Sequence, residues 1–153
     1  MMHSSNPAYD HLPDPIAQPE FYAGVPTKRF LAWLVDSLLI IAFCVLGVIL
    51  TLGIGFFFLP ALVLVIGLIY RTATLAHGSA TWGMALMAIE LRRHDGTRLD
   101  PLTAGLHTLG YSASMAFVVP QVVSVLMMLA GNRGQGLSDL VLGTAMINRR
   151  ADP

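Results

Sequence analysis

Charge is what this sequence has least of. Only 12% of its 153 residues are Asp, Glu, Lys or Arg, about half of what a water-soluble domain carries. So few charges cannot cover a compact body in water, but they suffice where most of the surface faces lipid. Nine basic residues balance nine acidic ones, so no basic face is available to grip nucleic acid. Cysteine is nearly missing as well. Cys44 stands alone in an apolar run, which excludes an internal disulfide and makes it a buried bystander. His3, His11, His77, His94 and His107 are scattered, with no ligand pair at helical or hairpin spacing, so no metal site is expected. Phosphate-loop, dinucleotide and nucleophile-elbow signatures are missing. No cofactor is expected, and the chain does not read as an enzyme.

What the chain has instead is long apolar tracts, in a length that suits one domain. Hydrophobic residues make up 55% of it. From Phe30 to Leu52 only Asp36 is charged. A helix over that stretch is about 34 Å long, enough for a hydrocarbon core of about 30 Å. No further charge appears before Arg71, and one straight helix to that point would be too long for a single crossing. Thr51-Leu52-Gly53-Ile54-Gly55 supplies the break. A second span is predicted from about Phe56 to Ala76, with Pro60 in its tolerant first turns and Arg71 snorkelling to the headgroups near its far end. The tract from Pro101 to Asn132 is free of charge and about 48 Å long if straight. Thr103, His107, Ser114 and Gln121 form one polar helical stripe on it, suited to helix–helix hydrogen bonds or to lining a hydrated path. Pro120 is expected to kink or break this tract.

The remaining segments are more polar. Residues 1–26 carry Pro7, Pro13, Pro15, Pro19 and Pro26 with little apolar content, and are expected to form a disordered cytoplasmic tail. Residues 151–153 are a second, short tail. Between the spans, Ala80 to Met87 suits a short interfacial helix with Thr81 near its start. Ala88 to Leu99 reads as a hairpin about Asp95-Gly96, and a short extended run is expected near Ala145 to Asn148.

Basic loops stay cytoplasmic. Lys28 and Arg29 therefore place the start of the first helix inside, and Arg92, Arg93 and Arg98 place the hairpin there too. Arg133, Arg149 and Arg150 call for a cytoplasmic C-terminus, so tract 101–132 has to cross twice or dip in and return near Val118 to Gln121. The expected fold is an all-α integral membrane protein of 3–4 membrane helices, the last tract kinked or re-entrant, with a small cytoplasmic β-hairpin.

Asp36 is the most informative residue. An ionisable group within a transmembrane helix costs roughly 2.5–3.5 kcal/mol at mid-span, so Asp36 is either an ion or proton site or one half of a structural ion pair. Arg29 lies two turns earlier on nearly the same face. Asp139, read alone, is an ordinary loop acid or helix cap. Two aspartates in such a chain raise the idea of an intramembrane protease, but Leu34-Val35-Asp36-Ser37 and Leu137-Ser138-Asp139-Leu140 do not resemble those active sites.

The ordered combination resembles the RDD family of bacterial membrane proteins, named for one arginine and two aspartates. Lys28-Arg29-Phe30-Leu31-Ala32-Trp33-Leu34-Val35-Asp36 matches its opening pattern, and Arg133-Gly134-Gln135-Gly136-Leu137-Ser138-Asp139 its closing one. Thr81-Trp82-Gly83 and the Asp95-Gly96 turn are similar as well. An RDD-like transmembrane domain is expected over residues 27–150. The chain departs from the pattern at Met84, where a basic residue is common, and at Ser138, where His is frequent. The resemblance implies a bacterial inner-membrane location and an ion transporter or transporter subunit, with Arg29, Asp36 and Asp139 clustered for cation/proton exchange. A non-transporting scaffold or assembly factor is the alternative. The bilayer is the expected partner, and so small a chain would enclose a path as a homo-oligomer.

Membranes from cells expressing the chain should retain it after an alkaline carbonate wash. Release into detergent-free buffer as a monodisperse species would remove the basis for every reading above.

Overall fold

The first long helix begins where the chain is turned into position. Gly24 adopts the left-handed conformation (φ 68°), and Pro26 sits in the first turn of α1, Val25–Leu50. Val25, Ala32, Asp36, Ile40 and Cys44 are its buried residues, a stripe at three-to-four-residue spacing that faces the rest of the body. The structure, a computed structural model, describes residues 11–149. The expected tail up to Asp10, Arg150 and the short tail 151–153 lie outside the described residues.

The break after α1 falls where the glycines predict it. Leu52 and Gly53 take positive φ, a 3-10 turn covers Ile54–Phe58, and α2 runs over Leu59–Gly78 with Pro60 in its first turn. Tyr70 meets Asp36, Gly67 lies by Ile40, and Gly47 lies by Leu62. Rising numbers on one helix thus meet falling numbers on the other, so α2 returns antiparallel to α1. Both helices are long and apolar enough to cross a membrane. Their outer faces carry large exposed side chains such as Leu38, Ile49 and Ile69, an apolar belt of the kind that water-soluble monomers avoid.

Thr81 caps the short helix α3, Trp82–Leu86, by accepting a hydrogen bond from Met84 N at 3.2 Å. Strand β1, Ile89–Arg93, follows. The predicted hairpin forms only its turn: Gly96 N donates to Arg93 O and Arg93 N to Thr97 O, but no second strand follows. Asp100 already caps α4 by accepting from Thr103 N at 2.6 Å, which leaves too few residues for one. The partner of β1 is instead β2, Thr144–Asn148, antiparallel, with Leu91 opposite Met146. This is the extended run expected near the C-terminus. Alternation then sends β2 side chains to two places. Met146 joins Ile89, Leu91, Val25, Ala32 and Leu75 in the main core, while Ala145 and Ile147 pack under Leu12 and Tyr22. From Leu12 onward, therefore, the stretch expected to be a disordered tail is packed on the sheet, because Leu12 and Tyr22 supply the apolar cover that its many prolines obscure.

The tract after the turn is α4, Pro101–Ala116, and α5, Val118–Ala130. They meet at 116°. The break is at Phe117, whose backbone is extended, and not at Pro120, which falls in the first turn of α5, where its missing N–H loses no helical bond. A turn beyond a right angle sends α5 back along α4. After α6, Leu137–Leu142, the chain enters β2, and Asn148 Oδ1 accepts from Lys28 Nζ at 2.8 Å. The start of α1, the sheet and the C-terminal strand thus share one end of the molecule. Two helices qualify as membrane spans, or three if the bent pair counts as one.

In a Cys44→Ser background, Arg98→Cys and Arg149→Cys should react with an impermeant thiol reagent from the same side of sealed vesicles, and Ile54→Cys from the other. Arg149→Cys reacting together with Ile54→Cys would contradict the return path.

Candidate functional site

Asp36 is fully buried on the inner stripe of α1. Its Oδ1 accepts from the Tyr70 hydroxyl at 2.7 Å and from Gly83 N at 2.9 Å, and its Oδ2 accepts from the Thr81 hydroxyl at 2.6 Å. The Arg71 guanidinium lies farther off, with Nη1 3.6 Å from Oδ2. Among the described residues, its hydrogen-bond and ion-pair partners are three donors and one cation. The close approach of α3 depends on Gly83: a Cβ there would stand 2.3 Å from Ala32 O and 2.7 Å from Asp36 Oδ1. Glycine is required here by space, not by its φ.

Asp139, on α6, is equally buried. Arg29 Nη1 donates to Oδ2 at 2.7 Å and Gly136 N at 3.0 Å. His107 Nε2, from α4, meets Oδ1 at 2.8 Å, and the Thr144 hydroxyl donates to it at 3.1 Å. Burial alone would push this carboxyl up, but the Arg29 charge and the His107 hydrogen bond outweigh it and hold Asp139 well below the usual carboxylate range. A depressed carboxyl contributes stability that is fully present above its unfolded value and is lost only as pH falls through the lower folded one. The clasp therefore persists through mildly acidic conditions.

The two clasps face one cavity of about 650 Å³ between α1, α2 and the bent pair, with Arg29, Asp36, Arg71, His107 and Asp139 all on its lining. All three residues of the expected Arg29–Asp36–Asp139 cluster thus border one cavity, but Arg29 and Asp36 do not pair with each other. Arg29 turns to Asp139, and Asp36 turns to Arg71, Tyr70 and α3. Seven residues of helix separate Arg29 and Asp36 by about 10 Å, more than a direct pair can bridge once each has a nearer partner. Arg71 is the residue that sequence reasoning placed wrongly. It does not snorkel outward; it is 9% exposed, and its guanidinium lies 4.6 Å over the Tyr111 ring. A buried aspartate one helix away was the available signal for an inward arginine.

The polar stripe divides. His107, Ser114 and Gln121 line the cavity, joined by Tyr111 and Ser124, while Thr103 does not. The bend at Phe117 moves Gln121 onto α5, so the stripe is wrapped around the cavity rather than laid along one helix. Met84 gives its sulfur to Thr81 N at 3.5 Å, where a basic side chain would bring charge. Ser138 likewise brings no imidazole, and the one that reaches Asp139 is that of His107. Among the described residues no group of three or more His, Cys, Asp or Glu side chains could hold a metal ion.

Residues 23–143, most of the chain, match the RDD family, and the chain belongs to that family. No curated protein and no solved structure matches it.

Asp139→Asn and Arg29→Ala should each lower stability in detergent by about 3 kcal/mol or more, the usual cost of leaving one buried charge of a pair unanswered. The double variant should cost less than the sum. Gly83→Ala should cost about 1–3 kcal/mol by overpacking. Gly78→Ala, where a Cβ meets nothing within 4 Å, should cost nothing measurable. Thermal denaturation followed by loss of helical signal measures all five.

Proposed function

We propose that this RDD-family protein is a small multi-pass transport unit of a bacterial inner membrane, with its sheet and both chain ends on the cytoplasmic side and its path through the cavity between the two clasps. The observation that carries this reading is the cavity itself, which brings two buried acid–base pairs and open polar side chains together between helices long enough to cross a bilayer. Cation exchange at the carboxylates is the form suggested by the family resemblance, but it finds little support in the geometry. A cation needs acceptor ligands, whereas Asp36 and Asp139 are surrounded by donors. The proton is the coupled species of this reading, carried along the polar side chains that line the cavity.

A scaffold function is the second reading. Its support is that Arg29 and Asp139 are 110 positions apart in the chain, so the clasp ties the ends of the domain together whatever else it does.

Sealed vesicles carrying pH and sodium reporters separate the readings. With native lipid extract, wild-type protein is expected to move protons without sodium. Ser114→Phe, which fills the cavity away from both clasps, is expected to stop that movement while the elution volume stays unchanged. Sodium movement abolished by Asp36→Asn would return the carboxylate to the centre of a cation exchanger. A well-folded wild type that moves neither ion would favour the scaffold.

A further inference from the structure

Arg71 is paired only at a distance. It is about nine-tenths buried, yet its nearest carboxylate oxygen is 3.6 Å away, and among the described residues its guanidinium donates no hydrogen bond. Arg29, by contrast, donates to Asp139 at 2.7 Å and lies 3.4 Å from Gly134 O. A guanidinium carries five donors in a planar fork, and buried donors are ordinarily spent. Those of Arg71 border the cavity, with the Tyr111 ring beneath them as a stacking surface. Asp36 stays at ion-pair distance from Arg71, with Tyr70, Thr81 and Gly83 in the nearer positions around the carboxylate. Tyr111 accepts from Trp33 Nε1 at 2.7 Å, and its own hydroxyl proton has no acceptor among the described residues. Ser114 and Gln121 are open too. This end of the cavity is cationic, with hydroxyl and amide groups beside the guanidinium.

The other end is apolar and open. Phe30, Met115, Val125 and Leu129 line the cavity although they are 58%, 41%, 41% and 67% exposed. The cavity therefore has a mouth among α1, α4 and α5, on the same outer surface as the apolar belt. Whatever enters there comes through hydrocarbon. A volume of about 650 Å³ lies within the range of pockets that hold one small molecule, roughly 300–1,000 Å³.

We propose that the cavity binds one anionic amphiphile, its carboxylate or phosphate head on Arg71 and its apolar chain leaving between Phe30 and Leu129. The planar fork suits either head group. This inference rests on the transport reading for the cavity but names the occupant, and the two can fail separately.

Trp33 lines the cavity and Trp82 does not, so the chain's two tryptophans form a probe and its control. The full-length chain in phosphatidylcholine nanodiscs, as Trp82→Phe to report Trp33 and as Trp33→Phe to report Trp82, is titrated with dibrominated stearate, dibrominated phosphatidate and dibrominated phosphatidylcholine. Trp33 fluorescence is expected to fall saturably, at one probe per chain, with an anionic probe. Saturation by stearate, by phosphatidate or by both assigns the head group. Trp82 should show only the shallow linear loss of a probe dissolved in the bilayer, and so should Trp33 with phosphatidylcholine. Arg71→Gln in the Trp82→Phe background should remove the saturable part. Val125→Phe, which narrows the mouth without touching either clasp, should remove it in a protein whose fold is intact. Linear quenching alike for both tryptophans, equal saturation by phosphatidylcholine, or saturation that survives both substitutions would overturn the proposal. Proton movement in vesicles together with purely linear quenching would overturn it while leaving the transport reading in place.

Discussion

A carboxylate taken out of water has to be answered at both oxygens, and the fold is arranged around meeting that demand twice. Desolvating one such ion costs several kcal/mol even after relaxation, and Asp36 and Asp139 are both fully buried. Asp36 receives three hydrogen bonds from segments distant in sequence, and Asp139 has two distant partners, Arg29 and His107, and two nearby ones, Gly136 and Thr144. Asp36 draws in α2 and the start of α3. Asp139 gathers α1, α4 and the start of β2 around α6. Helix α1 takes part in both. Arg29 and Asp36 stand two turns apart on the stripe that buries Val25, Ala32, Ile40 and Cys44, so a single face of one helix holds a cation and an anion, each aimed at a different partner.

These contacts also explain why the sheet sits where it does. Once Gly83 is held against Ala32 and Asp36, β1 is committed to the end of the molecule where α1 begins. Once Arg29 holds Asp139, β2 is committed to the same end. The strand pair closes between them, and the segment from Leu12 to Tyr22 covers its outer face. The bent pair is compatible with this, since the extended backbone at Phe117 turns α5 back along α4 and brings α6 and β2 to that end.

Much of this was legible because it depends on local pattern. The apolar lengths of α1 and α2, the glycine break between them, the Thr81 cap and the extended run near Ala145 all follow from composition and period within a few turns of chain. The family resemblance added Asp139, which spacing alone left as a loop acid. What the sequence did not disclose was the choice of partner. The residues of β1 predict a strand but not that its neighbour lies fifty residues onward. Arg29 and Asp36 share a face, and proximity suggested that they pair, whereas the lowest-cost answer for each lay on another element. Pro120 drew attention as a helix breaker, although proline in a first turn breaks nothing.

Arg71 shows what the clasps leave unsettled. Seven residues separate it from Gly78, about 10 Å of helix, a distance that a long side chain leaning along the surface can partly cover to reach water. It turns inward instead, attracted by Asp36 and the face of Tyr111. Attraction at 3.6 Å without a hydrogen bond only partly compensates a guanidinium for its lost water. The nearer positions around Asp36 belong to Tyr70, Thr81 and Gly83, which secures α3 and leaves the arginine's donors turned to the wall of a cavity whose far side is apolar. A positive charge held in that position, at that cost, is better explained by a molecule it receives than by the fold it supports.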